Sequence, residues 1–283
     1  MPCDPSPPDP FLIAEPALIS FSGGRTSAYM LFRILRAFNG ELPPDIYVVF
    51  ANTGKEREET LRFVHDVEVY FNVRVWWIER TRDGGFEIVG YNSASRNGEP
   101  FAALIAKKQY TPNAVTRFYT VELKIRVMRD FARSVGFEEW NNVIGLRYDE
   151  GIRVMKALAR NDEGKERFKA IMPLSKAKVT KANVMDFWKD QPFDLGLKSY
   201  EGNCDLCFLK SKAKLCAIIR EQPGSADWWI EQEKVGKGRF VTERSYADLA
   251  KSVHDQGHLF DGWIDDDDHD AECGLLCGVP DAA

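Results

Sequence analysis

The stretch LISFSGGRTSAYML, residues 18–31, decides how the chain is read. Residues 17–22 (ALISFS) are mostly apolar and fit a buried strand. Ala28, Leu31, Leu35 and Phe38 then recur at three- and four-residue steps, the period of a helix face, and Gly40 is placed to stop it. Between strand and helix sit Gly23 and Gly24. Two glycines there remove side chains where the backbone approaches something, and the positive end of a helix starting near Thr26 favours an anion. Ser22, Thr26 and Ser27 add hydroxyl donors. No Gly-Lys-Ser/Thr follows and the dinucleotide glycine fingerprint is absent, so the loop is neither of those phosphate cradles.

Outward from this loop the pattern repeats. IYVVFANTG (46–54) reads as a second buried strand ending in the polar turn Asn52-Thr53-Gly54. Residues 56–71 read as a helix with Leu61, Val64, Val67 and Phe71 on one face, and VRVWWIER (73–80) as a third strand. Strand–helix–strand–helix–strand at this spacing predicts a parallel sheet with crossover helices. Residues 81–115 read as a long loop with a short helix near 101–108, of the kind that is often functional. A helix over 119–135, strands in NNVIGLRYDE (141–150) and FKAIMPL (168–174), and a short helix in TKANVMDFWKDQ (180–191) complete this part. In open parallel sheets ligands bind beyond the carboxyl ends of strands. Ser22-Gly23-Gly24, Asn52-Thr53-Gly54 and the segment from Arg147 to Arg153 all fall there.

The fold class expected is α/β, a three-layer parallel sheet with helices on both faces over residues 17–200. A disordered leader precedes it (1–16, proline-rich). A mainly helical, cysteine-bearing extension with an acidic tail follows (201–283). No apolar run reaches the length of a membrane span and no signal peptide is evident, which leads to the expectation of a cytoplasmic protein. Net charge is −5, but residues 265–283 hold seven acidic side chains and no Lys or Arg. The remainder has 38 basic and 36 acidic side chains, a mildly basic body suited to anionic substrates.

These segments resemble the PP-loop adenine-nucleotide enzymes, which include ATP pyrophosphatases and the phosphoadenylylsulfate (PAPS) and adenylylsulfate reductases. SFSGGRTS resembles their loop. VVFANTGKEREETLRFV (48–64) resembles the reductases' strand, Asp-Thr-Gly turn and Glu-Thr helix. TPNAVTRFYTVELKI (111–125), VIGLRYDEGIRVMK (143–156) and IMPL (171–174) resemble three later reductase segments in family order. The resemblance implies that Ser22, Gly23, Gly24, Arg25, Thr26 and Ser27 cradle a phosphate or sulfate. It places Asn52, Thr53 and Gly54 by the nucleoside, and gives Arg117, Lys124, Gly145, Arg147 and Arg153 to phosphosulfate or sugar-phosphate oxygens. Guanidinium forks match tetrahedral oxyanions on chemical grounds alone. ATP pyrophosphatases carry an Asp magnesium ligand where this chain has Thr26. The Asp of the Asp-Thr-Gly turn is Asn52 here, and the Cys of the Arg–aromatic–Cys segment is Tyr119.

The six cysteines are Cys3, Cys204, Cys207, Cys216, Cys273 and Cys277. AECGLLCG (271–278) resembles the Glu-Cys-Gly-Leu-His end of thioredoxin-dependent PAPS reductases, which implies Cys273 as the catalytic nucleophile, although Leu276 stands in place of the His. GNCDLCFLK (202–210) holds a Cys-x-x-Cys like that of the iron–sulfur adenylylsulfate reductases, whose earlier Cys-Cys pair is replaced by Phe118-Tyr119. Alternatively, Cys204, Cys207, Cys273 and Cys277 form one four-thiolate site for zinc or a four-iron four-sulfur (4Fe-4S) cluster, with Cys216 as a spare ligand. The function expected is a PAPS-reductase-like enzyme acting on an adenosine phosphosulfate-type nucleotide with a thioredoxin-like reductant. The alternatives are a PP-loop sulfur-transfer or nucleotidyl-activating enzyme using ATP on DNA or tRNA, and a non-catalytic nucleotide-binding module; a homo-oligomer is compatible with each. Trp228-Trp229 followed by basic residues could touch nucleic acid, but reads better as a core helix with a solvated end.

Overall fold

The structure is a computed structural model describing residues 8–198 and 200–256. Its strands and helices follow one another as β1 (Ala17–Ser20), α1 (Arg25–Ala37), β2 (Ile46–Asn52), α2 (Glu58–Tyr70), β3 (Val75–Arg80), β4 (Phe86–Val89) and α3 (Glu99–Lys108). Next come α4 (Phe118–Thr120), a π turn (Val121–Ile125), α5 (Arg126–Ser134), β5 (Trp140–Val143), α6 (Gly151–Glu163) and β6 (Phe168–Ile171). Then follow α7 (Pro173–Lys176), α8 (Lys181–Lys189), α9 (Lys212–Glu221), α10 (Asp227–Gly236) and α11 (Tyr246–Gln256). The fold is α/β, with one six-stranded, mostly parallel sheet in the order β4-β3-β2-β1-β5-β6.

β1 is parallel to both β2 (Ala17 beside Ile46) and β5 (Ala17 beside Asn141), and β5 is parallel to β6. All four residues of β1 are buried, as expected of a central strand. The chain leaves β1 for β2 on one side and returns as β5 on the other. That is the switch point at which open α/β sheets leave a crevice beyond the carboxyl ends of their strands.

Two expectations are corrected. The sheet is not purely parallel: β4 pairs antiparallel with β3, Trp77 beside Val89. Half of its four residues are exposed, so it lacks the apolar alternation that marks a strand. The strand expected within residues 141–150 ends at Val143, and helix α6 follows it over a stretch for which no element was expected. Only Ala157 on it is buried, and Ile152, Met155 and Leu158 are exposed.

The described residues divide into two compact units. One comprises those up to Phe50, Phe63–Trp76 and Phe131–Leu195. The other comprises Ala51–Arg62, Trp77–Asp130 and those from Gly196 onward. In the first unit, α1 packs on α8 through Tyr29, Phe32 and Phe187. Residues 8–16, expected to belong to a disordered leader, are packed there. Phe11 and Ile13 are buried, and the Arg33 guanidinium lies 4.3 Å from the Phe11 ring centroid. An aromatic and an aliphatic side chain among the prolines suffice to anchor the segment. The second unit's core gathers Phe101, Tyr119, Phe208, Trp229, Phe240 and Tyr246. Trp229 is buried in it and Trp228 partly so, matching the core-helix reading of α10.

Among the described residues, no helix is long and apolar enough to cross a membrane.

Candidate functional site

In the first unit, the polypeptide leaves β1 into a glycine turn. Gly23 has φ +75°, a left-handed conformation open to glycine at little cost, and Gly24 is the extended N-cap of α1. Among the described residues no side chain caps α1, which leaves its first N–H groups for another acceptor. Inside the turn, Ser27 Oγ donates to the Gly24 carbonyl at 3.0 Å and lies 2.9 Å from Ser22 Oγ. The loop after β5 comes close to this turn: a Cβ on Gly145 would lie 3.4 Å from Ser27 Cα. That loop carries Arg147, whose buried guanidinium donates to Thr26 Oγ1 at 3.0 Å and to Asp149 Oδ1 at 3.1 Å. Glu150 accepts from the Arg147 backbone N–H at 2.9 Å and pairs with Arg153.

Asp149 also accepts from the Lys181 N–H. Burial pushes the Asp149 carboxyl up, but the Lys181 N–H and the Arg147 guanidinium together hold it below the ordinary aspartate range. Arg25 is engaged elsewhere: its guanidinium forms a two-pronged pair with Asp194, Nε to Oδ1 at 2.6 Å. So Ser22, Gly23, Gly24, Thr26, Ser27, Gly145 and Arg147 meet at the switch point, and Arg153 joins through Glu150.

The second unit holds the other candidates. Asn52 donates to Glu79 Oε1 at 2.6 Å and to the Ser95 carbonyl at 2.9 Å, and its own Oδ1 accepts from the Gly54 N–H. Thr53 gives its N–H and its hydroxyl to the Glu56 carboxylate, at 2.8 and 2.9 Å. Glu56 has two further neighbours, Lys124 Nζ and Cys204 Sγ, each 3.8 Å from Oε1. Lys124 reaches it from the π turn, an irregularity frequent at functional sites. Arg117, at the start of α4, donates Nε to the Ala114 carbonyl within its own turn.

The Cys-x-x-Cys turn is built against the Asn-Thr-Gly turn. Glu56 and Cys204 form an isolated antiparallel bridge, and the Asp205 N–H donates to the Lys55 carbonyl. Lys55 Nζ pairs with Asp205 at 2.7 Å, and Lys210 Nζ donates to the Cys204 carbonyl at 2.6 Å. Cys207 is buried, Cys204 partly so. Zinc or a 4Fe-4S cluster takes four thiolates, and this turn holds two cysteines. Cys273 and Cys277 lie outside the described residues. Among the described residues no three His, Cys, Asp or Glu side chains gather as a metal requires. Cys216 packs in the second unit's core, where burial pushes its thiol up.

Sequence reading passed over Glu56, Glu79, Asp149 and Asp205. Glu56 had a signal, the Thr-x-x-Glu spacing of a capping box. Glu79 had none, being 27 residues from Asn52.

Burial raises the Glu79 carboxyl above the ordinary glutamate range, against the hydrogen bonds from Ser95 and Asn52, and nearby Glu56 pushes it the same way. The folded chain therefore keeps a proton that the unfolded chain has released, and this group's contribution to stability falls as pH rises from the ordinary value through the raised one. Glu79→Gln removes that titration and keeps an acceptor, so its stability relative to wild type should improve as pH rises above the ordinary glutamate value in urea unfolding. Glu79→Ala leaves the Ser95 N–H without its acceptor and should cost about 1–3 kcal/mol.

No family model matches the chain. It is 28% identical over 217 residues to an uncharacterized nin region protein of Escherichia phage lambda, covering 73% of this chain and 70% of that protein. It is also 43% identical over 63 residues to an uncharacterized protein of Methanocaldococcus jannaschii, covering 22% of this chain and 12% of that one.

Proposed function

We propose that this chain is a PAPS-reductase-like enzyme on a three-layer PP-loop fold. It binds an adenosine phosphosulfate-type nucleotide at the Ser22–Ser27 turn and reduces it to sulfite. One observation carries the choice among PP-loop activities: Thr26 accepts from the Arg147 guanidinium. Where a magnesium-dependent ATP pyrophosphatase needs a carboxylate, this chain holds a hydroxyl and a fixed positive charge. The Arg147 guanidinium, fixed by Asp149 and Glu150, offers an oxyanion a positioned donor and offers a divalent metal no ligand.

In this reading the loop amides, the α1 N-terminus and Arg147 hold the phosphosulfate. Asn52, Thr53 and Gly54 serve the nucleoside, and Lys124 the anionic groups. The Cys273 thiolate attacks the sulfur, and the bond from that sulfur to the bridging phosphate oxygen breaks. That oxygen leaves with the electron pair, stabilised by the same donors. A thiol of a thioredoxin-like reductant then attacks the Cys273 sulfur, and sulfite leaves with the electron pair of the broken S–S bond. Two thiols become a disulfide as sulfur falls from the sulfate to the sulfite oxidation state. In the alternative role, Cys273 and Cys277 would join Cys204 and Cys207 around zinc or a 4Fe-4S cluster, which would tie the two cysteine segments together.

Sulfite release and metal content separate the two roles. If Cys273 is the nucleophile, Cys273→Ser should abolish sulfite release from PAPS while Cys277→Ser stays active, with metal content unchanged in both. Metal lost from each of the four Cys→Ser variants would assign all four to a shared site. Pyrophosphate released from ATP only when DNA or tRNA is added would displace the reductase reading in favour of sulfur transfer to nucleic acid.

A further inference from the structure

A pocket of about 190 Å³ in the second unit lies outside everything assigned above. Its walls carry Arg80, Arg82, Lys107, Lys108 and Arg126, and the one acidic residue among its lining is Glu122. The cations come from different places: Arg80 ends β3, Arg82 sits in the turn to β4, Lys107 and Lys108 end α3, and Arg126 starts α5. We propose that this pocket binds the phosphate backbone of a single-stranded nucleic acid.

Charge makes the first part of the case. Glu122 is buried and is shared by Arg126 at 2.8 Å, Arg80 at 3.4 Å and Lys108 at 3.5 Å. Arg80 has a second carboxylate, Asp130 at 3.3 Å. Five cations against these two carboxylates leave three positive charges over. Arg82 and Lys107 are exposed and have no carboxylate within ion-pair distance among the described residues. Lysines in the last turn of a helix favour its negative end, which accounts for Lys107 and Lys108 but not for the three arginines. Glu122 acts as the organiser, since one buried carboxylate fixes three cationic side chains from three elements on one wall. Preordered cations lose less freedom when a phosphate arrives.

Aromatic neighbours make the second part. Lys108 Nζ lies 5.8 Å from the Phe118 ring centroid, and the Phe118 ring lies 6.2 Å from that of Tyr110, which is 44% exposed. A cationic pocket with an exposed tyrosine ring nearby, backed by the partly buried Phe118, is an arrangement that can track a strand backbone while a base stacks. In a duplex the bases are already stacked and shielded, so the rings favour a single strand. This site belongs to the second unit and the nucleotide turn to the first, and the proposal does not depend on what binds at that turn.

The test is fluorescence anisotropy of the full chain with a labelled oligothymidylate about 20 nucleotides long, more than one such site spans. Arg82→Glu/Lys107→Glu breaks no ion pair and should fold normally. It should lose at least about tenfold in affinity near 0.1 M salt, and the slope of log affinity against log salt should flatten by roughly 0.7 for each phosphate no longer neutralised. Tyr110→Ala, which keeps every charge, should weaken binding at least about fivefold. The proposal is overturned if wild type does not bind the strand, or if the charge-reversed variant binds like wild type. It is also overturned if Tyr110→Ala is neutral while duplex binds as tightly as single strand, which is charge attraction alone. Saturable binding of inorganic phosphate without oligonucleotide binding would give the pocket to a small phosphorylated ligand instead. Gly24→Val should leave strand binding unchanged, so failure here and failure at the nucleotide turn are read separately.

Discussion

Gly24→Val should lower the affinity for an adenosine phosphosulfate-type nucleotide by about 100-fold or more, the loss expected when an anion is displaced from several backbone donors at once. Gly24 is the N-cap of α1 at φ −104° and ψ 164°, an extended conformation that valine adopts freely. The substitution therefore adds bulk without backbone strain, at the point where oxyanion and amide must approach. Gly23, at φ +75°, is the poorer choice, because any side chain there strains the turn itself. Gly24 is buried, so Gly24→Ala serves as the smaller partner variant and should lose affinity with little change in melting temperature. Calorimetric titration beside thermal unfolding separates the two effects. Full affinity in a folded Gly24→Val protein would remove this turn as the nucleotide site.

A large effect on stability is expected at Gly98. This residue has φ +80°, caps α3, and donates its N–H to the Gly54 carbonyl at 2.8 Å. A Cβ there would lie 2.6 Å from two atoms of the Trp228 indole. The left-handed conformation costs a non-glycine residue about 1–2 kcal/mol, and overpacking typically adds about 1–3 kcal/mol. Gly98→Ala should thus destabilise by roughly 2–5 kcal/mol in urea unfolding, toward the lower end if the partly buried indole can shift. A double-mutant cycle apportions the loss. In a Trp228→Ala background the overpacking part should vanish and the backbone part remain. A loss below about 1 kcal/mol in the wild-type background would show that the turn accepts a side chain after all.

The elements nearest the opening stretch were legible because each carries its own signal. β1 is uninterrupted and apolar, α1 has a helical period, and the glycine pair lies between them. β4 and α6 were not legible because they bury too little to leave a pattern: β4 is half exposed and α6 buries only Ala157. The site divides the same way. The glycine turn, Asn52-Thr53-Gly54 and Arg147 stood out as polar clusters at strand ends. What holds them comes from far along the chain: Glu79 on Asn52, Arg147 on Thr26, 121 residues away, and Cys204 on Glu56, 148 residues away. Only tertiary structure brings such pairs together, and no local period records them. The π turn carrying Lys124 reads simply as helix in sequence, since no local residue pattern separates an i→i+5 hydrogen bond from the usual i→i+4 one.

The central claim is that the turn after β1 takes a sulfated or phosphorylated adenosine without needing magnesium. The most direct measurement is calorimetric titration of PAPS into the wild-type chain in the presence of a metal chelator. One saturable site, with an affinity unchanged when magnesium replaces the chelator, is the expected result. No detectable heat with PAPS or adenylylsulfate, together with tight binding of ATP that appears only when magnesium is added, would contradict it.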